Sequence, residues 1–271
     1  MKATLVIAGA TDPGCVRKNN EDNFAVDESL GLVVVADGMG GHNSGEVASD
    51  IATKTIVEFA RKIDASKSLF VPKSGNPGLT MRGRQLEFCV QSANEVIYRK
   101  GQAFPKDSGM GTTVVAALLD GNSVTVAHVG DSRLYLYRHG KLSQLTQDHS
   151  LVGEQVRRGQ ISVEDAARSN LQNILTRALG SEGAVQVDVS DHPLQAGDMV
   201  LVATDGLSKM VSDSEITRTI AALREPRLIV ESLISKTRAA GGVDNVTVVV
   251  AGVSDQKEGR MTGFVSRLFR R

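Results

Sequence analysis

Four aspartates stand at the ends of apolar runs. Asp37 closes LVVVAD, Asp131 closes VTVAHVGD and Asp205 closes MVLVATD, while Asp244 stands just ahead of NVTVVV. Runs of this length, rich in Val, Leu and Ala and bounded by Gly, Asp or Asn, read as β-strands. In an antiparallel pair the C-terminal end of one strand lies beside the N-terminal end of its neighbour. Strand polarity therefore lets Asp205 and Asp244 meet at one sheet edge. Asp37 and Asp131 join them if their strands run with that of Asp205. Carboxylates gathered at one rim repel each other unless protonated or neutralised, and a divalent cation neutralises them. The donors are oxygens, with no cysteine pair and no histidine pair at ligand spacing, which suits Mg²⁺, Mn²⁺ or Ca²⁺ better than Zn²⁺.

A single Asp-Gly after a strand is most often only a turn, so it is the repetition that carries weight. The glycines Gly38, Gly40 and Gly41 do not make a phosphate loop by themselves, because no Lys-Ser/Thr follows them. Just upstream, VRKNNEDNF supplies Arg17, Glu21 and Asp22. Such a stretch is ordinarily a solvated charged loop. Beside a cation cluster, however, an arginine presents a planar fork that binds phosphate oxygens in pairs. Acids, cations and one arginine together describe a site for a phosphoryl group.

The elements that must position these residues follow from the rest of the chain. The 271 residues are 41% hydrophobic and 23% charged, enough for one large globular domain with a real core. Lys plus Arg equals Asp plus Glu at 31 each, which gives no basic excess for nucleic acid. Cys15 and Cys89 are far apart and form neither a disulfide framework nor a zinc pattern, so a reducing compartment is expected. Met1 to Ala10 lacks a convincing cleavage site and reads as a first strand, and no apolar run approaches a membrane span. A cytoplasmic, monomeric protein is the expectation.

Helical periodicity appears in SGEVASDIATKTIVEFARKI, with Val47, Ile51, Ile56 and Phe59 on its apolar face and Ser44 at its start. A second helix is predicted in RGRQLEFCVQSANEVIYRKG, and a late pair in DSEITRTIAALRE and PRLIVESLISKTRAAGG, the last opening on Pro226. Strands, two helices, many strands, two helices and a final strand make segregated blocks. That order favours an α+β fold with mostly antiparallel sheet. Several runs are apolar at nearly every position, as in strands covered on both faces.

Read in order, R-x-x-N-E-D, VVVADGMGG, GTT, VGDSR, ATDGL and DNVTVV run from about Thr11 to about Val253. The sequence of motifs resembles the metal-dependent PP2C-type protein serine/threonine phosphatases in their bacterial form. The resemblance implies a four-layer αββα sandwich, two antiparallel β-sheets flanked by helix pairs. It implies a binuclear Mn²⁺/Mg²⁺ centre and hydrolysis of phosphoserine and phosphothreonine by metal-activated water. Matched motif by motif, Asp37 bridges both metals, and the Gly38 carbonyl binds one. Asp205 and Asp244 complete the other, and Glu21 and Asp22 act directly or through water. Asp131 pairs with Asp205 at a weaker third site, and Arg17 holds the substrate phosphate. Phosphorylated proteins, and a cognate Ser/Thr kinase whose action is reversed, are the implied partners. A non-catalytic phosphoprotein-binding module on the same fold, or a phosphatase of an anti-anti-sigma-type regulator, are the alternatives. All matched acids are present, which disfavours the first.

One position departs from some relatives. Met39 stands where they carry a histidine proposed as general acid, and Met has no proton to give. His42 and His149 are the nearest substitutes in sequence. The phosphatase domain is expected over residues 1–253, with a flap-like segment over 149–180 carrying Arg157, Arg158 and Arg168. Residues 254–271 form a basic tail with Met261, Phe264, Val265, Leu268 and Phe269 at helical spacing. The tail is read as a short amphipathic helix that docks on the domain, on a partner or on an anionic membrane, with docking or disorder favoured over the membrane.

Overall fold

In this computed structural model, which describes residues 4–41, 44–65, 76–166 and 168–254, the chain alternates between two sheets. Its strands and helices are β1 (Thr4–Asp12), β2 (Asp22–Asp27), β3 (Leu32–Met39), α1 (Ser44–Ala65), α2 (Met81–Ala103), β4 (Gly111–Thr112), β5 (Val114–Leu119), β6 (Ser123–Val129), β7 (Arg133–Arg138), β8 (Lys141–Gln144), α3 (Leu151–Arg157), α4 (Val163–Ala166), β9 (Asp188–Pro193), β10 (Met199–Ala203), α5 (Asp205–Ser208), α6 (Asp213–Leu223), α7 (Pro226–Ala239) and β11 (Val246–Ser254). One sheet has the order β1-β11-β10-β7-β8, and the other β2-β3-β5-β6-β9 with β4 paired to β3. The strand pairs are antiparallel, as the block order of the sequence predicts.

Three apolar layers account for the stacking. Val33, Val35, Val115 and Val126 of the second sheet meet Leu134, Val200, Val202 and Val249 of the first. The opposite face of the second sheet, through Val34, Ala36, Val114 and Ala116, packs on α1 and α2. The opposite face of the first sheet, through Leu201, Val248 and Val250, packs on Ile216, Ile220, Ile229 and Leu233 of α6 and α7. The order is therefore helices, sheet, sheet, helices. Central strands are covered on both faces, which is why β11 is buried from Val246 to Val253 and reads as an unbroken apolar run. Each fully buried Val or Leu stabilises the sandwich by roughly 1.5–3 kcal/mol relative to exposure.

Helix α1 sits closer to its sheet than its large side chains suggest. Ser44, Gly45, Ala48, Ser49, Ala52, Thr53, Thr55 and Ile56 are the buried positions, while Val47, Ile51 and Phe59 are only partly covered. Small residues on the contact face let the backbones approach. At the start of the helix, a Cβ on Gly38 would lie 2.1 Å from the Gly45 carbonyl oxygen and 2.6 Å from that of Glu21. Glycine is required there by space. Asp22 is buried and begins the edge strand β2, with Glu21 just ahead of it, so Asp22 is not part of a solvated charged loop. Ser254, assigned above to the tail, still belongs to β11, while residues 255–271 and His42 lie outside the described residues. Among the described residues no helix is long and apolar enough to cross a membrane.

Candidate metal centre

The two sheets present their acids at a shared rim. Strand β6 runs parallel to β3, because each pairs antiparallel with β5, so Asp37 at the end of β3 and Asp131 just past β6 emerge on the same side. Strands β10 and β11 are antiparallel, so Asp205 after the one and Asp244 before the other also meet. Asp22 is the direct partner of Asp37 across the β2–β3 ladder. The charges of Asp22, Asp205, Asp131 and Asp244 all act on Asp37. Polarity alone thus predicts the gathering of Asp37, Asp131, Asp205 and Asp244.

The residues that hold the acids in place are mostly hydroxyls. Thr204 at the end of β10 and Thr247 in β11 each donate to Asp22 Oδ2 at 2.8 Å, which ties the second sheet to the first. Thr113 Oγ1 accepts from the Asp37 amide at 3.1 Å and shares a 2.7 Å hydrogen bond with Ser132 Oγ, next to Asp131. Asn245 Oδ1 accepts from the Glu21 amide at 2.9 Å, while its Nδ2 donates to the Pro13 and Asn19 carbonyls. A Cβ on Gly206 would lie 1.9 Å from the Asn245 carbonyl oxygen, so Gly206 lets the Asp205 turn lie against the Asp244 turn. Sequence reasoning assigned no role to Thr113, Thr204, Asn245 or Thr247. Their signal is their place in the motifs GTT, ATDGL and DNVTVV, where each is a polar residue in or beside an apolar strand.

The electrostatics are those of acids short of positive charge. Burial pushes the Asp22 carboxyl up to about 7 against the help of Thr204 and Thr247, with the Asp205 and Asp244 charges adding to the rise. Burial, then Asp205 and Asp148, push Asp131 up to about 7. Asp37 is held well above the ordinary carboxylate range by burial and by its four acidic neighbours. Burial also raises Glu21, against the nearby Arg17 charge. Two cationic side chains enter the rim: Arg17 Nε lies 2.9 Å from Asp244 Oδ1, and Lys209 Nζ pairs with Asp205 Oδ2 and lies 3.6 Å from Asp244 Oδ2. Asp22 Oδ1 and Asp205 Oδ1 are buried without a hydrogen-bond partner. Buried, unpartnered carboxylate oxygens with raised proton affinity in an all-oxygen set fit hard divalent cations.

The histidines have a different role. His149 is fully buried: its Nδ1 accepts from the Gly130 amide at 3.1 Å, and its Nε2 meets Asp188 Oδ2 at 3.1 Å. The neutral ring therefore carries its proton on Nε2, and His149 is no general acid for the rim. His128 stacks on it at 4.5 Å and donates from Nε2 to the Gln147 carbonyl. The expectation that no histidine pair stands at ligand spacing is corrected in space, since His128, His149 and Asp188 bring potential ligand atoms within 4.8 Å of one another. They do not make a metal site, because both nitrogens of His149 are already committed and Arg177 Nη1 holds Asp188 Oδ1 at 2.7 Å. The cluster fastens the segment after His149 to the sheet.

That segment is pinned by bridges at Ser150–Leu175 and Thr112–Leu179. It lines a cavity of about 460 Å³ together with Asp131, Asp205 and Lys209. Arg157 donates to the Asp148 carbonyl and Arg158 pairs with Glu154, while Arg168 is exposed. Met39 packs against Gly111, where an added Cβ would lie 2.8 Å from Met39 Cε.

Known proteins place this geometry. The chain is 39% identical over 253 residues to the serine/threonine phosphatase stp of Listeria innocua, covering 92% of this chain and 96% of that one. It is 37% identical over 264 residues to the serine/threonine protein phosphatase PstP of Mycobacterium tuberculosis, spanning 96% of this chain and 47% of the longer relative. The crystal structure of the M. tuberculosis serine/threonine phosphatase PstP/Ppp superposes with a TM-score of 0.81 at 35% identity, covering 93% of this chain and 99% of that one. A second structure, the catalytic domain of PstP in complex with two manganese ions, gives 0.79 at 35% identity, over 93% of this chain and 100% of that one. The protein phosphatase 2C family model matches residues 16–234, a span that holds five of the six acids named above and the Arg17 beside them. With sequence and fold in agreement, the chain belongs to the protein phosphatase 2C family.

Proposed function

We propose that this chain hydrolyses phosphoserine and phosphothreonine in proteins at the rim formed by Asp22, Asp37, Asp131, Asp205 and Asp244, reversing the action of a Ser/Thr kinase. Membership of the family makes it a metal-dependent serine/threonine phosphatase with a Mn²⁺ or Mg²⁺ centre. The observation that carries the assignment to this rim is the pair of buried, unpartnered oxygens, Asp22 Oδ1 and Asp205 Oδ1, within a carboxylate cluster from both sheets. Asp37, Gly38, Asp205 and Asp244 would hold the cations, with Glu21 and Asp22 beside them and Asp131 with Asp205 at a weaker position. When bound, the cations activate the attacking water and offset the negative charge of the phosphate.

The chain's own residues do the rest. Arg17 pairs with Asp244 through Nε, so the two terminal nitrogens of its fork are the ones that would meet phosphate oxygens. Such a contact orients the phosphoryl group and offsets charge on its equatorial oxygens. Thr204 and Thr247 keep Asp22 Oδ2 occupied, so the unpartnered Oδ1 is the oxygen that would be offered to a cation. Met39 has no proton to give and His149 is sealed away, so neither protonates the leaving alkoxide. The segment over 149–180 would act as a flap beside bound substrate within a phosphatase domain of residues 1–253. The deciding experiment is release of phosphate from a phosphothreonine peptide with Mn²⁺ and then with EDTA. Metal-dependent release is expected, and its absence overturns the proposal.

A further inference from the structure

Lys209 enters the rim as a cation that neither the catalytic reading nor the family motifs explain. Asp205 opens the short helix α5 and Lys209 follows one turn later, so the two side chains share a face. The Lys209 ammonium pairs with Asp205 Oδ2 and lies 3.6 Å from Asp244 Oδ2, with only 21% of the side chain exposed. It thus reaches both carboxylates assigned above to one cation. A single ammonium and a divalent cation cannot share those oxygens without strong like-charge repulsion. Lysine suits a counter-ion that must yield: its charge is a compact point on a flexible four-carbon stem, unlike the rigid fork of arginine. The cavity of about 460 Å³ that Lys209 lines gives that stem room to swing aside.

We propose that Lys209 is a resident counter-ion of the acidic rim, which neutralises Asp205 and Asp244 in the metal-free protein and must be displaced for a divalent cation to bind there. The inference rests on the metal centre proposed above. Lys209 stabilises the metal-free fold and, by the same contacts, weakens metal binding, since whatever favours the free state subtracts from apparent affinity. It is a positioning residue, acting on the metal equilibrium and not on substrate.

The test is calorimetric titration of Mn²⁺ into EDTA-stripped wild type, Lys209→Met and Lys209→Arg, with thermal melts of each before and after metal. Lys209→Gln runs in parallel in case the methionine variant does not fold. The neutral variants are expected to bind Mn²⁺ about tenfold more tightly than wild type, a shift typical of coupled equilibria. They are also expected to melt lower without metal, and to gain more on its addition, while Lys209→Arg, whose fork yields less readily, binds Mn²⁺ more weakly than wild type. Unchanged or weaker Mn²⁺ binding in the neutral variants, with wild type binding normally, overturns the role of Lys209 alone. A wild type that binds no Mn²⁺ overturns the centre and this inference together.

Discussion

Asp22 and Asp37 stand directly opposite each other across the β2–β3 ladder, two acids where a sheet ordinarily avoids like charges. The Thr204 and Thr247 hydroxyls hold Asp22 Oδ2, and burial raises the proton affinity of both carboxyls. Asp37→Asn removes one charge without changing side-chain size. The variant is expected to lose Mn²⁺ binding and nearly all phosphatase activity, yet to melt higher than wild type in EDTA. Opposite signs on the two readouts separate a ligand from a merely structural residue. Full Mn²⁺-dependent activity in Asp37→Asn would refute the assignment.

The same crowding sets a pH dependence for the metal-free protein. Asp22 and Asp131 are held at about 7 against an ordinary value of 3.8. Between these values the folded chain keeps protons that the unfolded chain has released, so stability falls as pH rises. The contribution is complete below the unfolded value and gone above the folded one. In EDTA, melting at about pH 5 should exceed melting at about pH 8, with about 2–4 °C for each kcal/mol. Saturating Mn²⁺ should remove or reverse the slope, because it binds the ionised form. A slope of the opposite sign in EDTA would mean that the acids are neutralised by something other than protons.

How far this was legible in the sequence depends on where each strand lies in its sheet. Central strands such as β3, β5 and β11 are buried on both faces and announce themselves as apolar runs. Strands β2, β8 and β9 are edges, need no such run, and were not recognised from periodicity, whereas β1, also an edge, carries an apolar run and was recognised. The acids were legible because strand polarity alone brings their ends together. Thr204 and Thr247 were not, since their partner Asp22 comes from the other sheet, and no spacing within the chain encodes an inter-sheet contact. Lys209 was hidden for a simpler reason: a lysine after a helical turn is ordinarily solvated.

Arg17 is more than half exposed, and its pair with Asp244 is correspondingly weak in water. Removing it should therefore leave the melting temperature almost unchanged. Its loss should appear against a phosphorylated substrate. Arg17→Ala is expected to lower kcat/KM by roughly 10–150-fold, the equivalent of about 1.5–3 kcal/mol for hydrogen bonds to a charged group. Arg17→Lys should recover only part, because it keeps the charge and loses the fork. Equal activity of all three proteins on a phosphothreonine peptide would remove Arg17 from the site.

Gly38 tests how closely α1 must approach the rim. An alanine methyl there would collide with the backbone oxygens of Gly45 and Glu21, which cannot turn aside as a flexible side chain could. Overpacking of this kind costs about 1–3 kcal/mol or more. Gly38→Ala should lower the melting temperature by several degrees, weaken Mn²⁺ binding and displace Glu21. A variant with wild-type stability and metal affinity would show that helix and strand can separate without cost to the centre.

His149 should matter for stability and not for proton transfer. Replacing it by Gln withdraws the acceptor from the Gly130 amide and a hydrogen-bonded partner from Asp188, whose carboxyl His149 and Arg177 hold below the ordinary range. A buried group left unpaired costs about 1–3 kcal/mol. The variant should melt lower, with its activity reduced most near the melting range, because the segment from Leu151 to Gly180 loses an anchor beside Asp131. Its pH profile for kcat/KM should keep both limbs where wild type has them, since His149 exchanges no proton with substrate. Disappearance of one limb, with a large fall in kcat at temperatures where the variant is fully folded, would make His149 the missing general acid and require its ring to leave Gly130 during turnover.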